Sequence, residues 1–225
     1  MNHIEIGRIA GIPIYLDMLF VLVLLLFCYP YFTSGDTQYM SAGIVIAAGL
    51  LLSILLHELG HAFAARAFKI GVSHIELTGL GGLAHFEKSL PQSVLIRTIV
   101  FLAGPAVNLA LWWGFGALSD TAIGANKTAL YIALGALAGA NFWLAVFNLL
   151  PAYPLDGGRT LDSWLGALLG GVWPVRIVAT LGLLVVAYLA VTSLPDNFWR
   201  MFLAFFLFQA NWIALQNAGG WGGRK

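Results

Sequence analysis

Six stretches of about twenty apolar residues dominate the chain, at roughly 14–33, 41–66, 97–118, 129–150, 173–193 and 198–216. A helix needs about 20 such residues to cross a hydrocarbon core about 30 Å thick. Only 9% of the residues are charged and 60% are hydrophobic. A water-soluble domain has about 25% charged and about 45–50% apolar residues, so these charges are too few to cover a soluble surface. The expected fold is an all-α polytopic membrane protein, a single transmembrane domain over residues 1–225 with six spanning helices. The fifth and sixth spans meet at the breaker cluster Ser193-Leu194-Pro195-Asp196-Asn197. Residues 159–170 read as a helix too short to span. Residues 67–96 hold Gly71, Gly79, Gly81, Gly82 and Pro91 beside the β-prone pieces Val72–Leu77 and Leu83–Phe86. They are expected to form a short β-hairpin at the inner membrane face. The stretch Met1–Pro13 carries Glu5 and Arg8, and the apolar run after it lacks a clean cleavage site, so the first span is expected to stay.

Orientation follows from the placement of Lys and Arg. With the N-terminus inside, the inner loops receive Arg8, Arg66, Lys69, Lys88, Arg97, Arg159, Arg176, Arg224 and Lys225, and the outer side receives Lys127 and Arg200. Both termini are therefore expected in the cytoplasm, and the bilayer is the first partner. A net charge of +1 with no basic block excludes a nucleic-acid surface. The lone Cys28 excludes an internal disulfide and a cysteine-ligated zinc site.

Ionisable groups in a span cost roughly 2.5–3.5 kcal/mol each at the helix centre. The second span nevertheless carries His57-Glu58-Leu59-Gly60-His61. Positions i and i+4 lie about 40° apart around a helix, so both imidazoles address one point. Glu58 sits about 100° from His57 on the flank of that face. Two histidines so spaced suit zinc, with the glutamate as general base. Chance would produce such a match roughly 0.002 times in a chain of this composition. A cluster of polar groups bonded to neighbouring helices is the bland alternative, and it leaves three ionisable groups in one turn without a metal.

Catalytic zinc takes three protein ligands and keeps a fourth position open. Asp156 is the best third candidate. It follows Pro151 and Pro154, which break the fourth span, and precedes Gly157 and Gly158, which free the backbone to bend. Taken alone, Asp156 could equally cap a helix beginning near Arg159; the histidine motif favours the ligand reading. His61 lies five residues before Arg66, about 7.5 Å from the inner end of its span, and Asp156 lies just beyond the fourth span on that side.

These residues resemble the site-2 protease family of intramembrane zinc metalloproteases, peptidase family M50. The resemblance rests on His57-Glu58-Leu59-Gly60-His61, on Asn148…Pro151…Pro154-Leu155-Asp156-Gly157-Gly158-Arg159, on Gly79-Leu80-Gly81-Gly82-Leu83-Ala84 and on Ala103-Gly104-Pro105-Ala106-Val107-Asn108. It implies one zinc ion held by His57, His61 and Asp156, with Glu58 as the catalytic glutamate. It implies that Asn148 binds the substrate backbone or the developing oxyanion, and that the hairpin near Gly81 and Gly82 pairs with an unwound substrate. The implied activity is hydrolysis of a peptide bond in or near a transmembrane segment of a membrane protein, in a prokaryotic cell membrane. A regulatory membrane protein is a further implied partner. Many relatives carry a PDZ or a C-terminal CBS domain; this chain has room for neither, so the expectation is either a minimal form or one whose accessory domain was removed. The alternative is a metal transporter or a non-catalytic metal-binding membrane protein. Glu58 argues against the second, and the sparsely polar outer halves of the spans argue against the first.

Three histidines fall outside the motif. His3 is expected to be solvated, and His74 and His85 to be interfacial residues of the hairpin rather than metal ligands. Asn126-Lys127-Thr128 is a glycosylation sequon on the expected outer side, and tryptophans near span ends, Trp199 and Trp221 among them, suit interface anchoring.

Overall fold

The computed structural model describes residues 3–79, 81–124, 127–193 and 198–219. Leu80, the turn residues 194–197, the sequon's Asn126 and the tail from 220, with Trp221, lie outside the described residues, as does the Trp199 side chain. In chain order the elements are β1 (His3–Ile9), β2 (Ile12–Asp17), α1 (Met18–Phe32), α2 (Thr37–Ala67), β3 (Val72–Thr78), β4 (Gly81–Phe86), α3 (Val94–Gly124), α4 (Thr128–Asn148), α5 (Asp156–Leu169), α6 (Trp173–Ser193) and α7 (Phe198–Gly219). They form two compact units: residues 1–91 with 103–145, and residues 92–102 with 146–225.

The first unit corrects the expected N-terminus. Residues 14–17, placed in the first span, belong to β2, and residues 3–9 and 12–13 before them are also strand. Asp17 sets the boundary: its carboxylate accepts from the Leu19 amide at 3.0 Å and caps α1. Ala10 and Gly11, both at positive φ, join β1 to β2, the backbone twist a two-residue hairpin needs. Arg66 of α2 donates to the Ala10 carbonyl at 2.6 Å. The expected hairpin is present as β3 and β4, within a four-stranded sheet of order β1-β2-β3-β4. The outer pairs are antiparallel and β2–β3 is parallel.

Alternation along the strands gives this sheet two unlike faces. Ile12, Ile14, Val72, Ile75, Leu77 and Ala84 are buried. Tyr15, His74, Glu76 and His85 lie on the opposite, half-exposed face. In the same unit, Cys28 of α1, Ala42, Ile46 and Leu50 of α2, and Ala133 and Leu137 of α4 form a buried cluster. Small residues set the spacing there, since a Cβ on Gly49 would strike the Leu137 side chain.

Among the described residues, four helices are long and apolar enough to cross a membrane: α2, α3, α4 and α6. The fifteen-residue α1 is a shorter apolar helix. It points Met18, Leu22, Leu25 and Leu26 outward, an apolar display that water does not favour. The protein is thus a membrane protein, mostly helical, with a small mixed sheet.

Candidate metal centre

His57, Glu58 and His61 are all buried in the C-terminal half of α2. The helical spacing brings the imidazoles together: the two Nε2 atoms lie 3.1 Å apart, with the rings edge to face. Two nitrogens bound tetrahedrally to zinc at about 2.0–2.1 Å are about 3.3 Å apart. The pair therefore already has nearly the bite that zinc requires.

A chain of buried amides fixes the rings. Asn108 of α3 accepts a short hydrogen bond from His57 Nδ1. Asn108 Nδ2 donates to Asn141 Oδ1 of α4 at 2.8 Å, and Asn141 Nδ2 donates to Ser53 Oγ of α2 at 2.9 Å. Asn141 Nδ2 also reaches the Leu137 carbonyl at 2.9 Å. An amide oxygen can only accept, so the proton of His57 sits on Nδ1 and the lone pair is on Nε2. The asparagines are fully buried, and breaking such a network would cost about 1–3 kcal/mol per orphaned group.

Three glycines decide what can approach. A Cβ on Gly60 would lie 2.9 Å from the Ala103 carbonyl oxygen, so the second variable position of the motif is where α2 and α3 meet closely. A Cβ on Gly104 would collide with both imidazoles, at His61 Nε2 and His57 Cε1. Gly104 thus leaves open the space the two nitrogens face, and a single methyl group would fill it. A Cβ on Gly82 would collide with the Glu58 carboxylate, so the backbone of β4 runs directly against the expected general base. Gly81, at φ +123, starts that strand.

Asn148 and Asp156 belong to the second unit, at the two ends of one loop. Asn148 is the last residue of α4 and is half-buried. Asp156 is buried and opens α5. It does not cap that helix: Leu155 holds the cap position, with no side-chain cap bond. The loop folds back on the first turn of α5, where a Cβ on Gly157 would strike the Leu149 carbonyl and one on Gly158 the Ala152 backbone. Asn211 of α7, fully buried, clamps the same loop. Its Oδ1 accepts from the Tyr153 amide at 3.0 Å, and its Nδ2 donates to the Tyr153 carbonyl at 2.8 Å and to the Leu207 carbonyl at 2.7 Å.

The family model of Peptidase family M50 matches residues 45–124 and 117–192. The chain belongs to this family. Among the M50 chain's relatives is sll0528 of Synechocystis, provisionally named a zinc metalloprotease, 33% identical over 97% of this chain and 59% of its own length. Rip3 of Mycobacterium tuberculosis, also provisionally named a zinc metalloprotease, is 33% identical over 93% of this chain and 58% of its own. The chain therefore spans under three-fifths of the length of these curated relatives. The solved site-2 protease of Methanocaldococcus jannaschii has the same fold, with a TM-score of 0.68, 26% identity and 95% of each chain covered. Membership in M50 brings zinc as the cofactor, and the bite of the two imidazoles and the cradle at Gly104 both fit that ion.

Two residues of the M50 chain escaped sequence reasoning, Asn141 and Asn211. Asn141 is an amide within the apolar run of α4, and that oddity was the available signal; Asn211 sits in α7 among Gln209, Gln216 and Asn217 and stood out less. Asn108 was noticed only as part of a resembling motif; its bond to His57 gives it a physical role.

Proposed function

We propose that the chain is a zinc-dependent intramembrane metalloendopeptidase that cuts a membrane protein in or near a transmembrane segment. The observation that carries this reading is the buried His57–His61 pair, set nearly at zinc spacing in a helix of spanning length, with Glu58 buried beside it. Asp156 is proposed as the third ligand. Its support is a buried carboxylate at the start of α5, on a loop braced by Gly157, Gly158 and Asn211. The proposed arrangement is one membrane domain of six spans over 1–225, with both termini cytoplasmic, and a regulatory membrane protein remains a proposed partner.

Zinc held by His57, His61 and Asp156 would supply a Lewis acid for the scissile carbonyl and would make water a stronger acid, with a pKa of about 7. Glu58 accepts the proton of the attacking water and returns it to the leaving amine. Asn148 donates to the oxyanion as the carbonyl carbon becomes tetrahedral. A substrate helix hides its carbonyls in its own hydrogen bonds and must unwind before attack. Among the described residues β4 pairs only with β3, and its Gly82 lies against Glu58. Its other edge is proposed to take the unwound segment as an added strand.

The deciding experiment is cleavage of candidate single-span proteins by wild type and by Glu58→Gln. The variant should lose cleavage by about 10²-fold or more while keeping its zinc. Undiminished cleavage excludes Glu58 as the base. Nothing in the site favours a transporter.

A further inference from the structure

The half-exposed face of the sheet holds a second group of metal-binding side chains, which the peptidase reading does not use. His74 and His85 are directly opposed across the β3–β4 pair. Their rings stack with centroids 4.2 Å apart and planes 13° apart. Glu76, two residues beyond His74 on the same face, places Oε2 3.2 Å from His85 Nε2. Its other oxygen, Oε1, lies 2.8 Å from Nδ1 of His3, on β1. One donor atom each from His74, Glu76 and His85 all fall within 4.8 Å of one another.

We propose that His74, Glu76 and His85, with His3 as a fourth donor, form a second transition-metal site on the sheet, separate from the His57–His61 pair. Two or three imidazoles with one carboxylate are the ligands of zinc and its neighbours nickel, cobalt and copper; an all-oxygen set would instead have suited magnesium or calcium. The spacing needs only side-chain adjustment to reach the roughly 3.3 Å that separates tetrahedral zinc donors. Side-chain exposures of 28% for His3, 18% for Glu76 and 36% for His85 leave an entry route from water.

The backing is also suitable. Ser73 Oγ lies 2.8 Å from His74 Nδ1, which occupies that nitrogen and leaves Nε2 as the one to offer a metal. The Tyr15 ring stands edge-on to His74 at 5.4 Å. Residues 3, 74, 76 and 85 come from three strands, so a bound ion would tie β1, β3 and β4 together. Gly82 faces Glu58 from the buried face, so His85, three residues on, puts this site on the opposite side of β4.

The inference does not depend on the peptidase activity, and zinc content reads it directly. The detergent-solubilised full chain, purified through a tag without histidine, is dialysed against dilute zinc, then against metal-free buffer, and its zinc is counted by mass spectrometry. Wild type should keep two ions. The pair His74→Ala with His85→Ala should keep one, and so should the pair His57→Ala with His61→Ala. Should the first pair fail to fold, Glu76→Gln and His85→Gln, which keep side-chain size and polarity, should still lose the second ion. Zinc content left unchanged by these sheet variants, whether the wild type holds one ion or two, overturns the proposal. Loss or retention in the α2 pair reports on the peptidase centre alone.

Discussion

The histidine pair of α2 and the histidine cluster of the sheet use similar ligands under opposite conditions. His57 and His61 are 7% and 6% exposed and lie within one helical turn. A hydrogen-bond relay from Ser53 through Asn141 and Asn108 sets the tautomer of His57 before any ligand arrives. The sheet cluster draws residues from three strands, stands half in water, and has one serine as its local brace. A dry, pre-set site strengthens electrostatic interactions and needs no rearrangement at the moment of reaction. A wet, adjustable one binds by drawing exposed side chains together. The contrast separates the centre proposed for catalysis from one proposed for metal binding alone.

The sharpest way to break this contrast is Gly104→Ala. Its methyl group would sit against both imidazoles of α2, so zinc at that pair and all cleavage should vanish while the sheet keeps its ion. Zinc analysis showing a full α2 site would refute the cradle. Next in size is Asn108→Ala, which should weaken zinc binding at α2 by about 10–100-fold, the range for loss of a partner that orients a ligand. A zinc titration giving wild-type affinity would show that the amide relay is not needed. Leu83→Pro removes an amide from the strand that faces Glu58. It should slow cleavage by about 3–10-fold, the worth of roughly one hydrogen bond, with zinc at α2 unchanged; cleavage at the wild-type rate would count against strand addition. The smallest effect belongs to Ser73→Ala. It trims an exposed brace, and its cost in thermal unfolding should stay within about 0.5 kcal/mol; a larger loss would mean that the sheet cluster is as rigidly pre-set as the helix pair.

Much of the α2 site was legible because its geometry is local. A spacing of four on a helix brings His57 and His61 together whatever else the chain does, and Glu58 follows from the same periodicity. The loop from Asn148 to Asp156 was legible for a related reason: prolines and glycines announce where a helix must stop. The end of the N-terminal hairpin, residues 14–17, was placed in the first span. Asp17 is the single charge between the apolar Ile12–Leu16 and the apolar run of α1, and hydropathy alone does not see a cap. Yet Ile4-Glu5-Ile6 alternates, and Ala10-Gly11 is a turn, so the period-two signal was present under a stronger one. His3 was expected in solvent, but β1 carries it to Glu76.

What the chain determined by itself is the set of contacts made within a few residues: the zinc-spaced imidazoles, the apolar helices, the broken end of α4. What only the tertiary structure decided is which distant groups meet. Asn108 reaches His57 across 51 positions of sequence, Asn211 reaches Tyr153 across 58, and His3 reaches Glu76 through the order of four strands. Strand register and helix crossing are set by packing summed over many side chains, and no single stretch of sequence contains that sum.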